Sequence, residues 1–296
     1  MSIGSGFACS SIWKIVVRHQ EEKIMSIITI SRGTLSGGQR LAKCLAMNLG
    51  YQIISREVLT EAALQYGVSE ESLARGLEQP PSFWDRFRID RQIYLTVIRA
   101  TLCHLVRENN VVYHGNAGHL LLQGVDHVLR VRVIAPLPFR IKAATEAHGF
   151  DEKEAEAYIR KKDEERVMWT RFLYGVEWRD PALYDVVLNL EKVTVEMACH
   201  MIVCMLERPE FQMTPESLRQ LEDLYLASHV KARLFLNSKI GAAAAKIDVT
   251  ATGGIVHLAG VLPSEAFRQE ALATAHSLPE VKEVRADWLG SHVEPL

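Results

Sequence analysis

The stretch Ile30–Ala46, ISRGTLSGGQRLAKCLA, connects a β-branched segment to a helical pattern through a loop that contains glycines. Ser26 to Ser31 has the composition of a buried strand, and Leu41, Leu45 and Leu49 share one face of the following helix. A loop of this kind directs backbone N–H groups and the positive end of the helix dipole at a bound phosphate. The stretch therefore predicts an α/β domain that opens with a phosphate-binding loop.

The loop keeps the glycines of the Walker pattern, G-x-x-x-x-G-K-[ST], but not its other residues. Gly33 and Gly38 hold the two glycine positions. Gln39 stands where the lysine belongs, and Arg40 stands where the serine or threonine belongs. By this motif alone, a phosphate site and a plain glycine turn with a helix cap both remain open.

Strand and helix patterns alternate after the loop. Helices are predicted at Ile89–Glu108, Pro138–His148, Asp151–Phe172 and Thr194–Leu206, and strands at Val111–Tyr113, Val128–Ala135 and Tyr184–Leu188. Such alternation predicts a parallel sheet covered by helices on both faces. Ligands then collect at the carboxyl ends of the strands.

The pattern changes at Arg208. Pro209 and Pro215 mark a linker that continues into a helix, and the segments around Thr252-Gly253-Gly254 alternate like a β-hairpin. We expect a disordered extension at 1–24, a nucleotide-binding domain at 25–207, a linker and helix at 208–227, and a small α+β domain at 228–290. Translation could start at Met1 or at Met25.

Composition excludes several classes of protein. A net charge of −2 and a pI of about 6.6 give no basic footprint for nucleic acid. No apolar run has the roughly 18 residues that span a membrane. The five cysteines include no C-x-x-C pair, which argues against a zinc ribbon or a redox motif. We expect a cytoplasmic protein with free thiols and no metal held by side chains alone.

Several segments together resemble the cytidylate kinase-like family. The S-R-x-x-G-S-G-G-R loop of that family reads SRGTLSGGQ at 31–39, and the likeness continues through LRVRVIAPLPFRI, AEAYIRKKDEERVMWTRFLYGVEW and DPALYDVVLN. It covers about Met25 to Leu206. The resemblance implies a P-loop-type sheet with a lid helix, and transfer of a phosphoryl group from ATP to a pyrimidine nucleotide. Mg²⁺ would be carried with the nucleotide.

The resemblance also implies which residues act. The phosphate- or nucleotide-binding set is Arg32, Gly33, Ser36, Gly37, Gly38, Gln39, Arg40, Arg140 and Asp185. The lid set, whose arginines would neutralise charge on the transferred group, is Arg160, Asp163, Arg166 and Arg171. Spacing alone leaves alternatives: a solvated i,i+3 ladder on the lid helix, a surface charge at Arg140, and a structural role for Asp185.

The chain departs from the family pattern at four positions: Gln39 and Asn116 replace basic residues, Ser55 replaces an aspartate, and Leu35 replaces a loop glycine. Loss of one positioned charge donor typically costs about 10²–10³ in rate. Two hypotheses follow. The first is an active nucleoside monophosphate kinase, and the second is a degenerate nucleotide-binding protein with a regulatory role.

The C-terminal segment IDVTATGGIVHLAGVLPSEAFRQEALATAHSLPEVKEVRADW resembles a BON domain, a class of binding module. From residue 228 onward the segment has seven basic and seven acidic residues. A neutral module lacks the polybasic surface that anionic lipid attracts. We therefore expect a protein or small-ligand partner here, with no membrane contact, and a structural role for His257.

Overall fold

A computed structural model describes residues 25–78, 88–108 and 110–291, and the predicted extension at 1–24 lies outside them. The larger domain is built on five strands: β1 (Ile27–Arg32), β2 (Gln52–Ile54), β3 (Val111–Tyr113), β4 (Val128–Ile134) and β5 (Val186–Asn189). They pair in the order β2-β3-β1-β4-β5, and every pair is parallel. The predicted parallel sheet is thus confirmed.

Helices cover both faces of this sheet. They are α1 (Gly38–Leu49), α2 (Glu57–Tyr66), α3 (Glu70–Glu78), α4 (Arg88–Val106), α5 (Gly118–Leu121), α6 (Leu137–His148), α7 (Glu152–Tyr174) and α8 (Val195–Leu206). Alternate residues of β1 point to opposite sides, as the pleat requires. Ile28 and Ile30 join the core under α1 and α8, and Ile27 joins the core under α2 and α4.

The small domain has helix α9 (Pro215–Leu236), strands β6 (Ile247–Thr252), β7 (Ile255–Leu262) and β8 (Glu283–Ser291), and helix α10 (Glu265–His276). Strands β6 and β7 are antiparallel, and β8 pairs with β7 in parallel. Gly253 and Gly254 close the predicted hairpin with φ of 61° and 90°. A two-residue turn with positive φ at both positions matches the twist of the strands it joins.

Helix α9 belongs to both cores. Its Leu221 and Tyr225 pack into the core of the larger domain, and its Val230 and Leu234 pack into that of the small domain. The predicted boundary between residues 227 and 228 falls within this helix. None of the helices in the described ranges combines the length and the apolar character that crossing a bilayer requires.

Candidate functional site

The loop between β1 and α1 is tightly folded around its glycines. Gly37 has φ of 94°, and a Cβ atom there would lie 2.9 Å from Cδ1 of Leu190. A Cβ atom at Gly38 would lie 2.8 Å from Cδ of Arg32. The Ser36 hydroxyl donates to the carbonyl oxygens of Gly33 and Val133 at 2.9 and 3.1 Å, which ties the loop to the sheet. The loop geometry therefore requires glycine at both positions.

Helix α1 begins without a side-chain cap. The side chains of Asp151, Thr194 and Thr214 accept hydrogen bonds from the first turns of α7, α8 and α9, but no side chain does so at Gly37. The first N–H groups of a helix have no intrahelical acceptor. At α1 they face the cavity beside the loop, together with the positive end of the helix dipole, which suits an anion.

Leu35 adopts a backbone conformation that glycine favours. Its φ is 59°, in the left-handed region that favours glycine. The side chain packs against the apolar cluster of Ala144, Ala155 and Ile159, beneath the lid helix α7. Leu35 therefore makes an apolar contact between the loop and the lid helix.

Two cavities flank the loop. The loop cavity, of about 940 Å³, lies over the start of α1 and is lined by Thr34, Gly37, Gln39, Phe139, Lys142 and Leu190, among others. The side cavity, of about 400 Å³, lies at the carboxyl ends of β2 and β3 and is lined by Ser55, Arg56, His114, Asn116, Lys162 and Trp169, among others. Both lie where ligands of parallel sheets collect.

Arg32 and Arg166 line both cavities. Burial, together with the nearby Arg166 charge, lowers the pKa of Arg32 to about 10. Among the described residues, no carboxylate forms an ion pair with Arg32. A largely buried cation without a counter-ion is costly, so the junction between the cavities is suited to an anion.

Asp163 connects the lid helix to the loop. Its carboxylate accepts hydrogen bonds from the Thr34 backbone N–H at 3.0 Å and the Thr34 hydroxyl at 2.8 Å. Arg140 and Arg166 donate to the same carboxylate at 2.6 and 3.2 Å. Burial acts to raise the pKa of Asp163, but the hydrogen bonds from Thr34 and Arg140 outweigh it, and the pKa is lowered. We call this cluster the lid latch.

Four buried histidines stay neutral at physiological pH: His114, His119, His127 and His229. Burial lowers the pKa of the first two to about 3 and that of the last two to about 4. The charges of Arg32 and Arg166 contribute at His114. His114 lines the side cavity, and its buried Nε2 atom has no hydrogen-bond partner among the described residues. A ligand in that cavity could supply one.

The structure brings some of the expected residues together and places others elsewhere. Arg32, Gly33, Ser36, Gly37, Gly38, Arg140, Asp163 and Arg166 lie in or beside the loop, and Gln39 and Arg40 are exposed in the first turn of α1. Arg160 pairs with Glu156 and Arg171 with Glu177, each at 2.6 Å and on the exposed side of the lid. The roles proposed for these residues stay predictions.

Asp185 lies away from the loop. It precedes the first residue of β5 and forms an ion pair with Arg130 at 2.6 Å. The carboxyl end of β5, where ligands collect, is Asn189. This placement favours the structural alternative for Asp185 over a nucleotide contact.

Sequence reasoning missed Thr34, His114 and Trp178. The last of these lines the side cavity, and its indole N–H donates to the Ser31 hydroxyl at 2.8 Å. His114 carried a usable signal, because it directly follows the buried strand β3 and so had to lie at the carboxyl edge of the sheet. Thr34 and Trp178 carried none, because their contacts join residues more than 100 positions apart.

A parallel sheet in this order, with a glycine loop before an uncapped helix and a lid helix above it, defines a kinase fold of the P-loop type. The sequence profile of the cytidylate kinase-like family matches residues 27–192, and the chain belongs to that family. The profile of the BON domain matches residues 222–287. Both resemblances found in the sequence are thus confirmed.

The chain aligns with curated relatives by sequence and with solved structures by fold. The cytidylate kinase of Ignicoccus hospitalis is 30% identical over 168 residues, covering 56% of this chain and 90% of the relative. That of Pyrococcus horikoshii is 25% identical, covering 57% and 82%. An uncharacterized protein from Eubacterium ventriosum aligns with a TM-score of 0.47 at 22% identity, over 62% of this chain and 98% of its own. A shikimate kinase from Bacteroides thetaiotaomicron aligns with a TM-score of 0.39 at 16% identity, over 62% and 99%.

Proposed function

We propose that the protein transfers the γ-phosphoryl group of ATP to a pyrimidine nucleoside monophosphate. One observation carries the proposal: Arg32 and Arg166 stand at the junction of two cavities, and Arg32 has no carboxylate partner among the described residues. A transferred phosphoryl group has to pass between a donor and an acceptor site. Two arginines at that junction can neutralise its charge in both positions.

The donor would occupy the loop cavity. Its β- and γ-phosphates accept hydrogen bonds from the N–H groups at the start of α1, whose helix has no side-chain cap. Phe139 and Leu190 supply apolar surface for the nucleoside, and Lys142 supplies a positive charge. Gly37 and Gly38 line this cavity without side chains, so phosphates can approach their backbone.

The acceptor monophosphate would occupy the side cavity. One of its oxygens attacks the γ-phosphorus in line, the bond from the γ-phosphorus to the β-γ bridging oxygen breaks, and ADP leaves with that oxygen. The attacking phosphate oxygen is already ionised at neutral pH, so the step needs no side-chain base. His114, with a pKa of about 3, is neutral and serves as a hydrogen-bonding group.

Mg²⁺ would accompany the nucleotide. Among the described residues, no group of three or more His, Cys, Asp or Glu side chains could hold a metal ion. Arg40 also takes the place of the hydroxyl residue that commonly contacts this ion. Bound with ATP, Mg²⁺ would take most of its ligands from phosphate and water and would neutralise part of the phosphate charge.

A second candidate is a regulatory protein that binds nucleotide without turnover and acts through its BON domain on a protein or small-ligand partner. The lid latch favours it, because the Asp163 carboxylate holds the Thr34 N–H and two arginines that a phosphate would otherwise contact. Gln39 also leaves the β- and γ-phosphates without the usual lysine.

Coupled ADP-release assays with CMP, dCMP, UMP and AMP, together with calorimetric titration of ATP, separate the two candidates. Turnover with a pyrimidine nucleotide supports the kinase, and Arg32→Gln should then lower kcat by about 10²–10³. Arg130→Gln is the matched control, since Arg130 pairs with Asp185 away from both cavities. ATP binding without turnover supports the regulatory protein. Absence of ATP binding overturns both.

A further inference from the structure

A third cavity adjoins the loop at Gly33. This rear cavity has a volume of about 570 Å³ and is bounded by the end of β4, the lid helix α7 and the segment at 178–179. It has no lining residue in common with the loop cavity, and it shares only Trp178 with the side cavity. It is therefore a cavity of its own, although its lining includes four members of the expected phosphate-binding and lid sets: Gly33, Arg140, Arg160 and Asp163.

Arg132 forms the buried floor of the rear cavity. It is 6% exposed, and its guanidinium lies over the rings of Trp178 and Tyr184 at 4.2 and 5.3 Å. One nitrogen donates to the Trp178 carbonyl oxygen at 2.7 Å and to the Tyr184 hydroxyl at 3.3 Å. No carboxylate among the described residues pairs with it. The aromatic faces and these neutral acceptors stabilise the cation in part, but a buried guanidinium is matched best by an anion.

Positive charge dominates the rear cavity. Four arginines line it (Arg132, Arg140, Arg160 and Arg179) against two carboxylates, Asp163 and Glu164. The carboxylates are engaged, because Asp163 accepts from Arg140 at 2.6 Å and Glu164 from Arg179 at 2.9 Å. The Arg179–Glu164 pair at the rim is exposed, and an exposed ion pair exchanges readily for another anion.

The apolar lining and the volume of the rear cavity also bear on the kind of ligand that it can hold. Ile134, Leu137 and Ile159 line one part of it with apolar surface. A phosphate ion alone would neither fill about 570 Å³ nor use that surface. Guanidinium groups bind phosphate oxygens in a bidentate manner, so a phosphate held by Arg132 would leave its organic group against the apolar wall.

We propose that the rear cavity is a second ligand site, distinct from the kinase site, that binds an organic phosphate monoester through Arg132. Phenyl phosphate is a suitable probe, because it joins a phosphate to an apolar ring. Inorganic phosphate tests the contribution of the charge alone, and phenol tests that of the apolar wall alone. Calorimetric titration of the full chain measures all three.

Binding has to be measured in the Arg32→Gln, Gly37→Val double variant, because an organic phosphate could also enter the side cavity. Arg32→Gln removes the cation that the loop and side cavities share. Gly37→Val fills the space beside Leu190 and so removes the loop cavity as a phosphate site. In that background we expect phenyl phosphate to bind more tightly than inorganic phosphate, and phenol not to bind. Arg132→Gln should weaken phenyl phosphate about tenfold or more, as loss of a charged hydrogen bond implies. Arg130→Gln, on the same face of the same strand, should leave it unchanged.

Three results would overturn the proposal: no binding of phenyl phosphate to wild type, equal affinity in the Arg132→Gln and parent chains, or loss of all binding in the Arg32→Gln, Gly37→Val double variant. Circular dichroism checks that each variant folds. If Arg132→Gln does not fold, the double variant Arg160→Gln, Arg179→Gln at the exposed rim replaces it, with a weakening of about tenfold expected on the same grounds. If Gly37→Val does not fold, saturating ATP blocks the loop cavity instead.

Discussion

Asp163→Asn is the substitution that tests the lid latch most directly. It keeps the shape of the side chain but removes the charge that Arg140 and Arg166 share. Both side chains of the Arg140–Asp163 pair are 12% exposed, so solvent screens the pair far less than it screens a surface pair. Removal of one member of a buried ion pair costs about 3–5 kcal/mol. For a domain of this size, that corresponds to a fall in Tm of about 6–20 °C.

The neighbouring residue supplies a matched control. Glu164→Gln removes the same charge one position along the helix, where the pair with Arg179 is 50% and 58% exposed. An exposed pair contributes at most about 1 kcal/mol. Thermal unfolding followed by circular dichroism should therefore separate the two variants clearly. Equal shifts in Tm would show that the lid does not depend on the latch.

The difference in Tm between wild type and Asp163→Asn should depend on pH in a defined way. The pKa of Asp163 lies below its ordinary value of 3.8 in the folded protein. The stabilisation by the latch is then fully present above that ordinary value, and it is lost as pH falls through the lower folded pKa. The difference in Tm between wild type and Asp163→Asn should be constant from pH 5 to 8 and shrink only in stronger acid. A difference that disappears by pH 6 would contradict this reasoning.

Two further predictions concern charge. Gln39→Lys adds a cation at the loop cavity, so phosphoryl transfer in the ADP-release assay should rise about tenfold. Arg166→Ala should cancel that gain, and an unchanged rate would mean that another arginine already supplies the charge. The four buried histidines should make the protein sensitive to acid, because the unfolded chain takes up protons near pH 6.5 while the folded chain stays neutral. Each histidine lowers the free energy of unfolding by up to about 1.4 kcal/mol per pH unit between pH 6.5 and 4. Urea midpoints that do not change between pH 7 and 5 would refute this.

Sequence predicted those parts of the fold that depend on local patterns. Strand β3 and the start of β4 were placed correctly because their apolar runs are bounded by turn residues. Nothing was assigned between residues 51 and 88, where β2 has only three residues and two short helices follow. A strand that short has too few residues to show a period, and its pairing with β3 stabilises it.

The residues of the candidate site likewise divide into those expected from the sequence and those whose contacts depend on the folded structure. The glycines and Arg166 were expected at the site from the family resemblance, and the structure places them in or beside the loop, while their roles stay predictions. The bond from Thr34 to Asp163 joins positions 129 residues apart and exists only because the lid lies over the loop. Arg132 is one of two arginines in the apolar strand β4, and its burial beside Trp178 depends on a segment 46 residues further along.

Helix α2 touches two distant parts of the molecule. Val58 and Leu59, in its first turn, form part of the wall of the side cavity. Tyr66, its last residue, is hydrogen-bonded to His229 of α9 at 2.8 Å, and α9 carries part of the core of the small domain. A helix of 10 residues is a stiff rod about 15 Å long. Helix α2 therefore forms a continuous packed connection between the wall of the side cavity and the helix that carries part of the small domain's core.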